Sequence, residues 1–598
     1  MSEPSYIVGI DLGTTNSVVA YTEAAPGKGI APVIHLFRVP QLVGPGEKED
    51  RDALPSFVLL PTPHEVAETD LKLPWDESPG LAVGAFARDR GAELPQRLVS
   101  SAKSWLCHAG VDRNAAILPW GADKDAKKLS PVEASAAILR HIKSAWDERI
   151  AADDESLALA LQDVILTVPA SFDAVARELT VKAASEAGLS VTLLEEPQAA
   201  FYAWLALSGD LWRKNVTVGD LVLVCDVGGG TCDFSLISVE EEAGDLVLAR
   251  VAVGDHLLVG GDNMDLALAY DLAKTLAQKG KKLDNWQMRA LWQSCRAAKE
   301  KLLAENGPEA ATVTILSRGS GLIAGTIKTD LEKERISGVI TDGFFPVCEK
   351  EAEPASPARS GMREMGLSYA ADPGITRHMA KFLRKSGAER QLPTAVLFNG
   401  GVMKAGALRK RVMEVLSSWN DSPGQGLREL SGADYDLAVA RGAAHYGLAR
   451  RGMAVRIKGG LNRAYYIGVE AALPAVPGMP APRTALCVAP FGMEEGTGQA
   501  LPGRVFGLVV GEQVKFDFLA SSTRHDDAFG TTIEDWESEL SPVTTLETEL
   551  TGGAGTVLPV TLEVKVTEVG TLEIWCVAED GRKFKLEFSV REEDEIAE

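Results

Sequence analysis

The sequence contains few cysteines, and their spacing excludes the common metal and redox motifs. Seven cysteines occur in 598 residues, and no two of them form the CxxC pair expected of a zinc site or a thioredoxin-like centre. Cys225, Cys232 and Cys576 lie in strand-like segments, where a buried thiol behaves as a small apolar side chain. We therefore expect structural cysteines and a reducing compartment.

The chain also lacks a long apolar run and an excess of positive charge. No run approaches the ~18 apolar residues of a membrane span, and no basic-then-apolar leader precedes Asp11. The formal net charge of −23 disfavours non-specific binding to nucleic acid or to an anionic membrane. These features predict a cytoplasmic protein with neither nucleic acid nor membrane as a partner.

Two segments place a carboxylate, glycines and hydroxyl side chains at the end of an apolar run. Asp11 ends the run 6–10, and Asp226 ends the run 221–225. The residues that follow them are Gly13, Thr14 and Thr15 in the first segment and Gly228, Gly229, Gly230 and Thr231 in the second. Glycines let backbone N–H groups approach a phosphate, while the carboxylate faces a metal ion. The repetition predicts two facing phosphate loops in a duplicated fold.

The residues after both turns favour a strand rather than a helix. Residues 18–21 and 234–239 are rich in β-branched and aromatic side chains and carry no helix cap. A Walker loop or a Rossmann fingerprint would begin a helix at this point. Each glycine turn is therefore predicted to be the tip of a β-hairpin, which argues against both of those nucleotide-binding folds.

The chain divides into two parts of different character. Strand and helix patterns alternate through the first part, which is typical of an α/β domain, with an exposed loop expected over residues 40–56. In the second part apolar and polar residues alternate, and Asp580-Gly581 is a favoured hairpin turn. We predict an α/β nucleotide-binding domain over residues 1–455 and an antiparallel, β-sandwich-like domain over residues 456–598.

Two further strand ends carry weaker signals. Glu196 follows a predicted strand and precedes Pro197, which suits the first turn of a helix and leaves the acid where α/β sheets bind ligands. Taken alone, Glu196 is more typical of an acid that merely begins a helix. Gly400 and Gly401 also follow a strand and permit close approach to a ligand, although an ordinary left-handed turn would use them as well.

Together these segments resemble the DnaK-type seventy-kilodalton heat-shock chaperones of the actin-like ATPase superfamily. The resemblance extends in order over about residues 5–450 and is weaker in the β domain, where it is clearest over residues 557–590. The segments that carry it are 9–17, 168–172, 195–200, 226–233, 260–262, 400–401, 436 and 438–444. It implies a duplicated, two-lobed actin-like (ribonuclease H-like) ATPase domain, ATP or ADP and Mg²⁺ as cofactors, and a β domain that binds polypeptide.

The resemblance also implies roles for the residues at matching positions. Asp11, Glu196 and Asp226 would hold Mg²⁺ largely through water. The catalytic positions are Asp11, Arg88, Glu196, Asp226 and Thr231. The nucleotide-contacting positions are Gly13, Thr14, Thr15, Asn16, Gly228, Gly229, Gly230, Gly260, Gly261, Lys299, Gly400, Gly401, Lys404 and Asp436. Catalysis would depend on positioning and charge stabilisation.

Several residues depart from the family pattern. Arg88 stands where the family has its catalytic lysine, and this replacement is not conservative; Lys103 is the alternative source of that amine. The nucleoside pocket carries four more replacements: Arg296 for an acid, Glu300 for a cation, Leu303 for a serine and Lys404 for an arginine. The junction over residues 450–460 is basic where the family has an acidic linker, and no helical lid is expected after the last strand.

The sequence favours an ATP-binding, slowly hydrolysing, chaperone-like protein whose nucleotide state is coupled to polypeptide binding by the β domain. J-domain proteins and nucleotide-exchange factors would then be its co-chaperones. One alternative is a non-catalytic, nucleotide-gated interaction module, which Arg88 and the altered nucleoside pocket motivate. Another is a metabolite kinase of the actin-like superfamily, which would need a small-molecule phosphate acceptor but not the β domain.

Overall fold

The computed structural model of the protein describes most of the chain between residues 3 and 588. The positions outside its description within those bounds are 27–31, 78, 109, 124, 243–244, 305, 317–325, 357–366, 368, 387–391, 421–425, 431–433, 455–456, 459–460, 462, 471–482, 495, 502, 511–512, 522, 550–555 and 568–570. In the part that is described, no helix has the length and apolar character needed to cross a membrane.

The first lobe is a mixed sheet flanked by helices. Its strands are β1 (Tyr6–Leu12), β2 (Asn16–Glu23), β3 (His35–Phe37), β4 (Val39–Gly44), β5 (Glu47–Arg51), β6 (Leu54–Pro55), β7 (Val58–Leu59), β8 (Ala82–Val83), β9 (Leu98–Val99), β10 (Asp163–Val168) and β11 (Val191–Glu195). Its helices are α1 (Ala85–Gly91), α2 (Ala102–Leu106), α3 (Pro131–Arg149), α4 (Ala174–Glu186) and α5 (Glu196–Ser208). The main sheet has the order β11-β10-β1-β2-β3, with β6 also paired to β2.

The hairpin predicted for the first glycine turn is formed by β1 and β2. β1 runs antiparallel to β2, with Asp11 opposite Val18, and parallel to β10. Ile7, Val8 and Ile10 are fully buried, so apolar side chains hold this strand on both of its faces. A rigid strand therefore carries Asp11 to its position beside the end of β10.

Residues 39–51 form a structure that the sequence pattern did not predict. An exposed loop was expected over most of this segment, but β4 and β5 pair as an antiparallel hairpin. Gln41 is fully buried there; it donates to the Ala53 carbonyl and accepts from the Ala85 amide, both at 3.0 Å. The loop prediction was wrong because the hairpin is held by a buried polar side chain that the local pattern does not distinguish from an exposed one.

The second lobe repeats the plan of the first. Its strands are β12 (Leu221–Val227), β13 (Cys232–Glu242), β14 (Asp245–Val253), β15 (Ala310–Leu316), β16 (Thr326–Glu332), β17 (Ala395–Asn399), β18 (Arg428–Glu429) and β19 (Ile457–Lys458). Its helices are α6 (Trp212–Asn215), α7 (Gly261–Gln278), α8 (Asn285–Leu303), α9 (Lys333–Ile336), α10 (Asp342–Phe344), α11 (Ile375–Lys385), α12 (Gly406–Ser418) and α13 (Ala438–Arg450). The main sheet has the order β18-β17-β12-β13-β14-β19.

β12 occupies the place in its sheet that β1 occupies in the first. It runs antiparallel to β13, with Asp226 opposite Asp233, and parallel to β17. Val222 and Val224 are fully buried, as are the equivalent residues of β1. The predicted duplication, with a glycine turn at the tip of a hairpin in each half, is therefore present in the fold.

Helices α5 and α13 cross between the two sheets. α13 contacts β1, β2 and β10 of the first lobe, and α5 contacts β12, β13 and β17 of the second. A Cβ atom at Gly442 would lie 1.7 Å from the carbonyl oxygen of Ala199, so this approach of two helix backbones requires glycine. The surrounding apolar cluster includes Ile7 and Val222, one from each sheet. The crossing is thus where the two lobes join.

The described chain beyond residue 463 is almost entirely antiparallel β-structure. Its strands are β20 (Ala464–Glu470), β21 (Arg483–Ala489), β22 (Gly498–Ala500), β23 (Phe506–Val510), β24 (Gln513–Ser521), β25 (Thr532–Ile533), β26 (Ser541–Glu549), β27 (Thr556–Val566), β28 (Leu572–Ala578) and β29 (Lys583–Phe588). They have the order β22-β27-β28-β29-β26-β24-β20-β21-β25, with β23 also paired to β27. All of these pairings are antiparallel.

The predicted alternation is visible on β27 and β28. Val560, Leu562 and Val564 are buried and face the same side of β27, and Gly581 has the positive φ of +85° that the turn into β29 requires. β19, although it follows residue 456, pairs in parallel with β14 of the second lobe. The β-structure with one buried face therefore begins at β20.

His141 on α3 makes the first lobe sensitive to acid. Its ring is buried and donates from Nε2 to the Pro40 carbonyl at 2.9 Å, and burial lowers its pKa from 6.5 to about 4. The unfolded chain takes up this proton first, so the native state should lose up to about 3 kcal/mol as the pH falls through that interval.

His141→Gln, which keeps a donor for Pro40, should remove this part of the acid sensitivity. Urea midpoints at pH 7 and pH 4.5 measure it, with the exposed His64→Gln as the matched control. An acid-induced loss that is the same in wild type and His141→Gln would contradict the assignment.

Candidate functional site

The two glycine turns open into one cleft between the lobes. Its cavity volume is about 660 Å³, which is within the usual range for a small-ligand site. The residues predicted for the site that line it are Asp11, Gly13, Thr14, Thr15, Asn16, Arg88, Glu196, Asp226, Gly228, Gly229, Gly230, Thr231, Gly261, Lys299, Gly400, Gly401, Lys404 and Asp436. The fold thus brings residues from both halves of the chain to a single cavity.

The tips of the two hairpins touch each other. A Cβ atom at Gly229 would lie 2.0 Å from Thr15 Oγ1, and one at Gly230 would lie 2.7 Å from Thr14 Cγ2. Side chains at these glycines would therefore force the turns apart. Thr15 Oγ1 is buried and has no hydrogen-bond partner within the described part of the chain. A buried hydroxyl of this kind suits an oxygen of a bound phosphate.

Gly260 is not among the residues that line the cleft and packs instead against the backbone of the second turn, so its predicted contact with nucleotide stays a prediction. The N–H groups of Gly261 and Asp262 donate to the carbonyl oxygens of Gly228 at 3.0 Å and Gly229 at 2.7 Å. A Cβ atom at Gly260 would lie 2.7 Å from both of those oxygens. Gly260 supports the turn from behind, because only glycine lets the beginning of α7 approach it so closely.

Three acids meet at the centre of the cleft. Asp11 comes from β1, Asp226 from β12 and Glu196 from the first turn of α5. Burial, together with the charge of Glu196, raises the pKa of Asp11 to about 7 and that of Asp226 to about 8, although Lys103 opposes the change at Asp11. Asn399 also opposes it at Asp226, since its amide donates to Asp226 Oδ2 at 2.7 Å. A bound cation would lower both pKa values.

Lys103 is the cation in contact with these acids. It lies on α2, is 7% exposed and pairs through Nζ with Glu196 Oε1. Burial lowers the pKa of its ammonium group, but Glu196 and Asp11 outweigh that effect and hold the pKa above its ordinary value. The sequence offered Lys103 only as an alternative to Arg88, and nothing in its local pattern indicated this burial.

Arg88 reaches the cleft from α1 but is less enclosed. Its side chain is 35% exposed, and its Nε donates to Asp89 Oδ1 at 2.7 Å. Both candidate cations therefore line the cavity. Of the two, Lys103 is the one whose contact is with an acid predicted for catalysis.

The prediction that Asp11, Glu196 and Asp226 hold Mg²⁺ largely through water stays a prediction. Among the residues that the structure describes, no three His, Cys, Asp or Glu side chains are close enough to hold a metal ion. Mg²⁺ usually keeps several waters and binds few protein oxygens. Asn399 Oδ1 is buried without a hydrogen-bond partner in the described chain and could accept from such a water. Asn399 was not among the predicted residues. The signal that could have found it is its place at the end of a strand directly before a glycine, which resembles the place of Asp226 near the end of its strand before the second turn.

The far end of the cleft is built by α7 and α8. Arg296 pairs with Asp262 and, through Nε at 2.9 Å, with Asp265. Lys299 Nζ also pairs with Asp265 at 2.7 Å. Asp265 is 1% exposed, so these two cations neutralise a carboxylate that is removed from water. Asp265 was not among the predicted residues; it lies inside α7, four residues after Gly261, and its partners Arg296 and Lys299 come from another helix.

Lys404 also lines the cleft and pairs with Asp436. The apolar side chains of Leu303, Val402 and Leu408 complete the lining there. This end therefore combines an apolar surface with paired charges, which suits a nucleoside better than a phosphate.

Asp226 should give the metal-free protein a pH dependence opposite in sign to that of His141. Its pKa rises from 3.8 to about 8 on folding, so between those values the native state holds a proton that the unfolded chain has lost. Stability therefore falls as the pH rises through this interval. Asp226→Asn removes the titration, and its stability relative to wild type should increase from pH 5 to pH 8.5.

Urea midpoints in EDTA measure this difference, with the exposed Asp153→Asn as the control for loss of one carboxylate. A constant difference between Asp226→Asn and wild type across the pH range would contradict it.

Comparisons with known proteins found one family match and several similar chaperones. The family described as "Hsp70 protein" matches residues 83–340. Over 417 residues the chain is 30% identical to a "Chaperone protein HscA homolog" of Methylococcus capsulatus, a match that covers 67% of this chain and 58% of that protein. A protein of the same name from Tolumonas auensis is 32% identical over 279 residues, which are 45% of this chain and 37% of that protein.

The chain thus spans less than two thirds of the length of these curated relatives. The family match begins on β8 and includes Arg88, Lys103, Glu196 and the second glycine turn. It therefore covers cleft residues of both lobes. With the duplicated α/β lobes and the shared cleft, these matches identify the chain as a member of the DnaK/Hsp70-type family, with the actin-like two-lobed ATPase fold.

Proposed function

We propose that the protein is an ATP-binding chaperone that hydrolyses ATP slowly and couples its nucleotide state to polypeptide binding by the C-terminal β-structure. The observation that carries this proposal is the meeting of the two glycine turns beside Asp11, Glu196 and Asp226. A triphosphate lying there would receive backbone N–H groups from both halves of the chain. The names of both relatives describe chaperones, which supports the same function.

The cleft residues can perform hydrolysis mainly by positioning. Mg²⁺, when bound, would neutralise charge on the phosphates, and Asp11 and Asp226 would hold its water shell. The hydroxyls of Thr14, Thr15 and Thr231 would donate to phosphate oxygens. Glu196 would accept a hydrogen bond from the attacking water and orient it. Phosphoryl transfer asks little covalent chemistry of the protein, so a rigid cleft of this kind suffices.

The nucleoside would occupy the far end of the cleft. Lys299 would contact the ribose side, and Lys404 with Asp436 would flank the base over the apolar surface of Leu408. The guanidinium of Arg296 has only donors, so it cannot replace the acid of the family pattern as an acceptor for ribose hydroxyls, and its donors already pair with two acids. We expect the affinity for nucleoside to be weaker than the family pattern alone would imply.

A physical contact is available to couple the β-structure to the cleft. Tyr465 on β20 is buried in the same apolar cluster as Phe172 and Val175 of the first lobe. Burial raises its pKa, and the charges of Arg177 and Glu195 also act on it. Glu195 directly precedes Glu196 and pairs with Arg177 on α4 and Arg250 on β14. A shift of Glu196 on nucleotide binding would therefore move Glu195 and its ion pairs, and so change the surroundings of Tyr465.

The remainder of the proposal concerns organisation and partners. The nucleotide-binding domain would comprise residues 1–455 and the polypeptide-binding domain residues 456–598. The clients would be unfolded or extended polypeptides, and J-domain proteins and nucleotide-exchange factors would act as co-chaperones. A cytoplasmic location fits the net charge of −23 and the free cysteines of the chain.

A second candidate function is a nucleotide-gated interaction module without hydrolysis. It is favoured by the pairing of Arg88 with its neighbour Asp89 and by the ion pair of Arg296 with Asp262. Single-turnover assays with radiolabelled ATP separate the two functions. Bound ATP that stays intact for hours would favour the module, whereas release of phosphate would favour the ATPase.

Asp11→Asn and Thr231→Ala should each lower the single-turnover rate of ATP hydrolysis by about 100-fold or more, because each removes a group that positions or stabilises charge in the transition state. Phosphate release from radiolabelled ATP measures the rate. Asp153→Asn and Thr312→Ala make the same chemical changes at exposed positions outside the cleft and should hydrolyse ATP at the wild-type rate. Unchanged hydrolysis in both cleft variants would refute the site.

Millimolar Mg-ATP should raise the melting temperature, because a ligand that binds only the folded state stabilises it by about 2.7 kcal/mol at a concentration of 100 Kd. Gly229→Ala should abolish most of this shift, since its Cβ would lie 2.0 Å from Thr15 Oγ1. Gly228→Ala is the matched control, because its Cβ meets nothing closer than 3.7 Å, and it should keep more of the shift. Equal shifts in the two variants would contradict the proposed approach of the turns.

A further inference from the structure

Lys103 is the most deeply placed cation of the cleft. It is the second residue of the one-turn helix α2, and its side chain is 8% exposed. A buried ammonium group is costly unless carboxylates surround it. Glu196 pairs with it directly, and the charges of Asp11 and Asp233 also act on it. Its position is therefore set by the acids that lie between the two glycine turns.

The other cations of the cleft lining have partners away from these acids. Arg296 and Lys299 neutralise Asp265 on the α7 side. Lys404 pairs with Asp436 at the nucleoside end. Arg88 pairs with Asp89 in the neighbouring position of its own helix.

Lys103 differs from these cations in what its partner does. Glu196 is the acid that would orient water, so a lysine bound to it lies where the terminal phosphate and the attacking water must meet. This juxtaposition of an ammonium group, Glu196 and the touching turns is the observation on which the inference rests.

We propose that Lys103, and not Arg88, is the catalytic cation of this protein and that its Nζ transfers from Glu196 to the terminal phosphate of ATP when the nucleotide binds. The proposal rests on the ATP-binding function proposed above. The exchange has two effects at once. It places a positive charge against the phosphate oxygens, and it releases Glu196 to accept a hydrogen bond from the attacking water.

The step is balanced without any further reactant. The water oxygen forms a bond to the terminal phosphorus as the bond from that phosphorus to the bridging oxygen breaks. The electron pair of the broken bond remains on the oxygen of ADP, and the water proton leaves with the phosphate or to solvent. Lys103 stays protonated throughout, so it contributes charge and a hydrogen bond and is not consumed.

The test compares three variants that each replace a cation by methionine. Lys103→Met should lower the single-turnover rate of ATP hydrolysis by at least about 100-fold, the usual cost of losing one donor to a developing oxyanion. Arg88→Met should lower it by less than about tenfold. Lys143→Met, which removes an amine paired with Asp147 at 2.7 Å on α3 outside the cleft, controls for loss of a lysine and should leave the rate unchanged.

Nucleotide affinity separates catalysis from a merely structural role. Calorimetric titrations with ADP should give the same Kd within about threefold for wild type and Lys103→Met, because ADP lacks the terminal phosphate. A non-hydrolysable ATP analogue should bind Lys103→Met at least about tenfold more weakly than wild type. Lys103→Arg keeps the charge and should recover part of both the rate and the analogue affinity, and melting temperatures verify that each variant is folded.

Each result supports or overturns the proposal. Hydrolysis by Lys103→Met at the wild-type rate, or a larger loss in Arg88→Met than in Lys103→Met, overturns it while leaving the ATPase function in place. Failure of the wild type to bind ATP overturns the proposed function instead. If the wild type binds ATP but does not hydrolyse it, the titrations test the contact. An equal loss of affinity for ADP and for the ATP analogue in Lys103→Met would overturn the contact between Lys103 and the terminal phosphate.

Discussion

The close approach of the two glycine turns is the constraint on which the cleft depends. Gly229 and Gly230 leave no room for side chains against Thr15 and Thr14, so the two hairpins can meet only because the second turn has no side chains at these two positions. Everything else follows from that meeting. It places Asp11 at the end of one rigid strand close to an acid from the opposite lobe, and it encloses the acids enough to change their protonation.

Burying these acids close together has an electrostatic cost. Burial and the charge of Glu196 raise the pKa values of Asp11 and Asp226, so it is unfavourable for all three acids to be ionised together. Lys103 offsets part of the cost, and the raised pKa values of Asp11 and Asp226 show that it does not offset all of it. In the proposed function, a hydrated cation bound with the nucleotide would relieve this repulsion. Binding and pH response therefore have the same physical origin.

The sequence predicts the parts of this fold that depend on local patterns. Asp11 and Asp226 stand at the ends of apolar runs before glycines, so their hairpins could be predicted from neighbouring residues alone. The burial of Gln41 could not, because it depends on amide and carbonyl groups from two distant segments. The burial of Lys103 could not be predicted either. A lysine on a one-turn helix is usually exposed, and Lys103 is buried because the folded chain places it against Glu196. Arg88 lines the cleft, and its contact with a phosphate stays a prediction.

The crossing of α5 and α13 has a mechanical consequence for the whole molecule. With Gly442 lying against the Ala199 carbonyl, sliding of one helix along the other would bring the two backbones into collision. We therefore expect the helices to move relative to each other by rotation about this contact. We expect motion between the lobes to be a rotation about the crossing of α5 and α13. In a rotation, displacement grows with distance from the axis. The end of the cleft built by α7 and α8 should therefore move further than the sheet ends near the crossing.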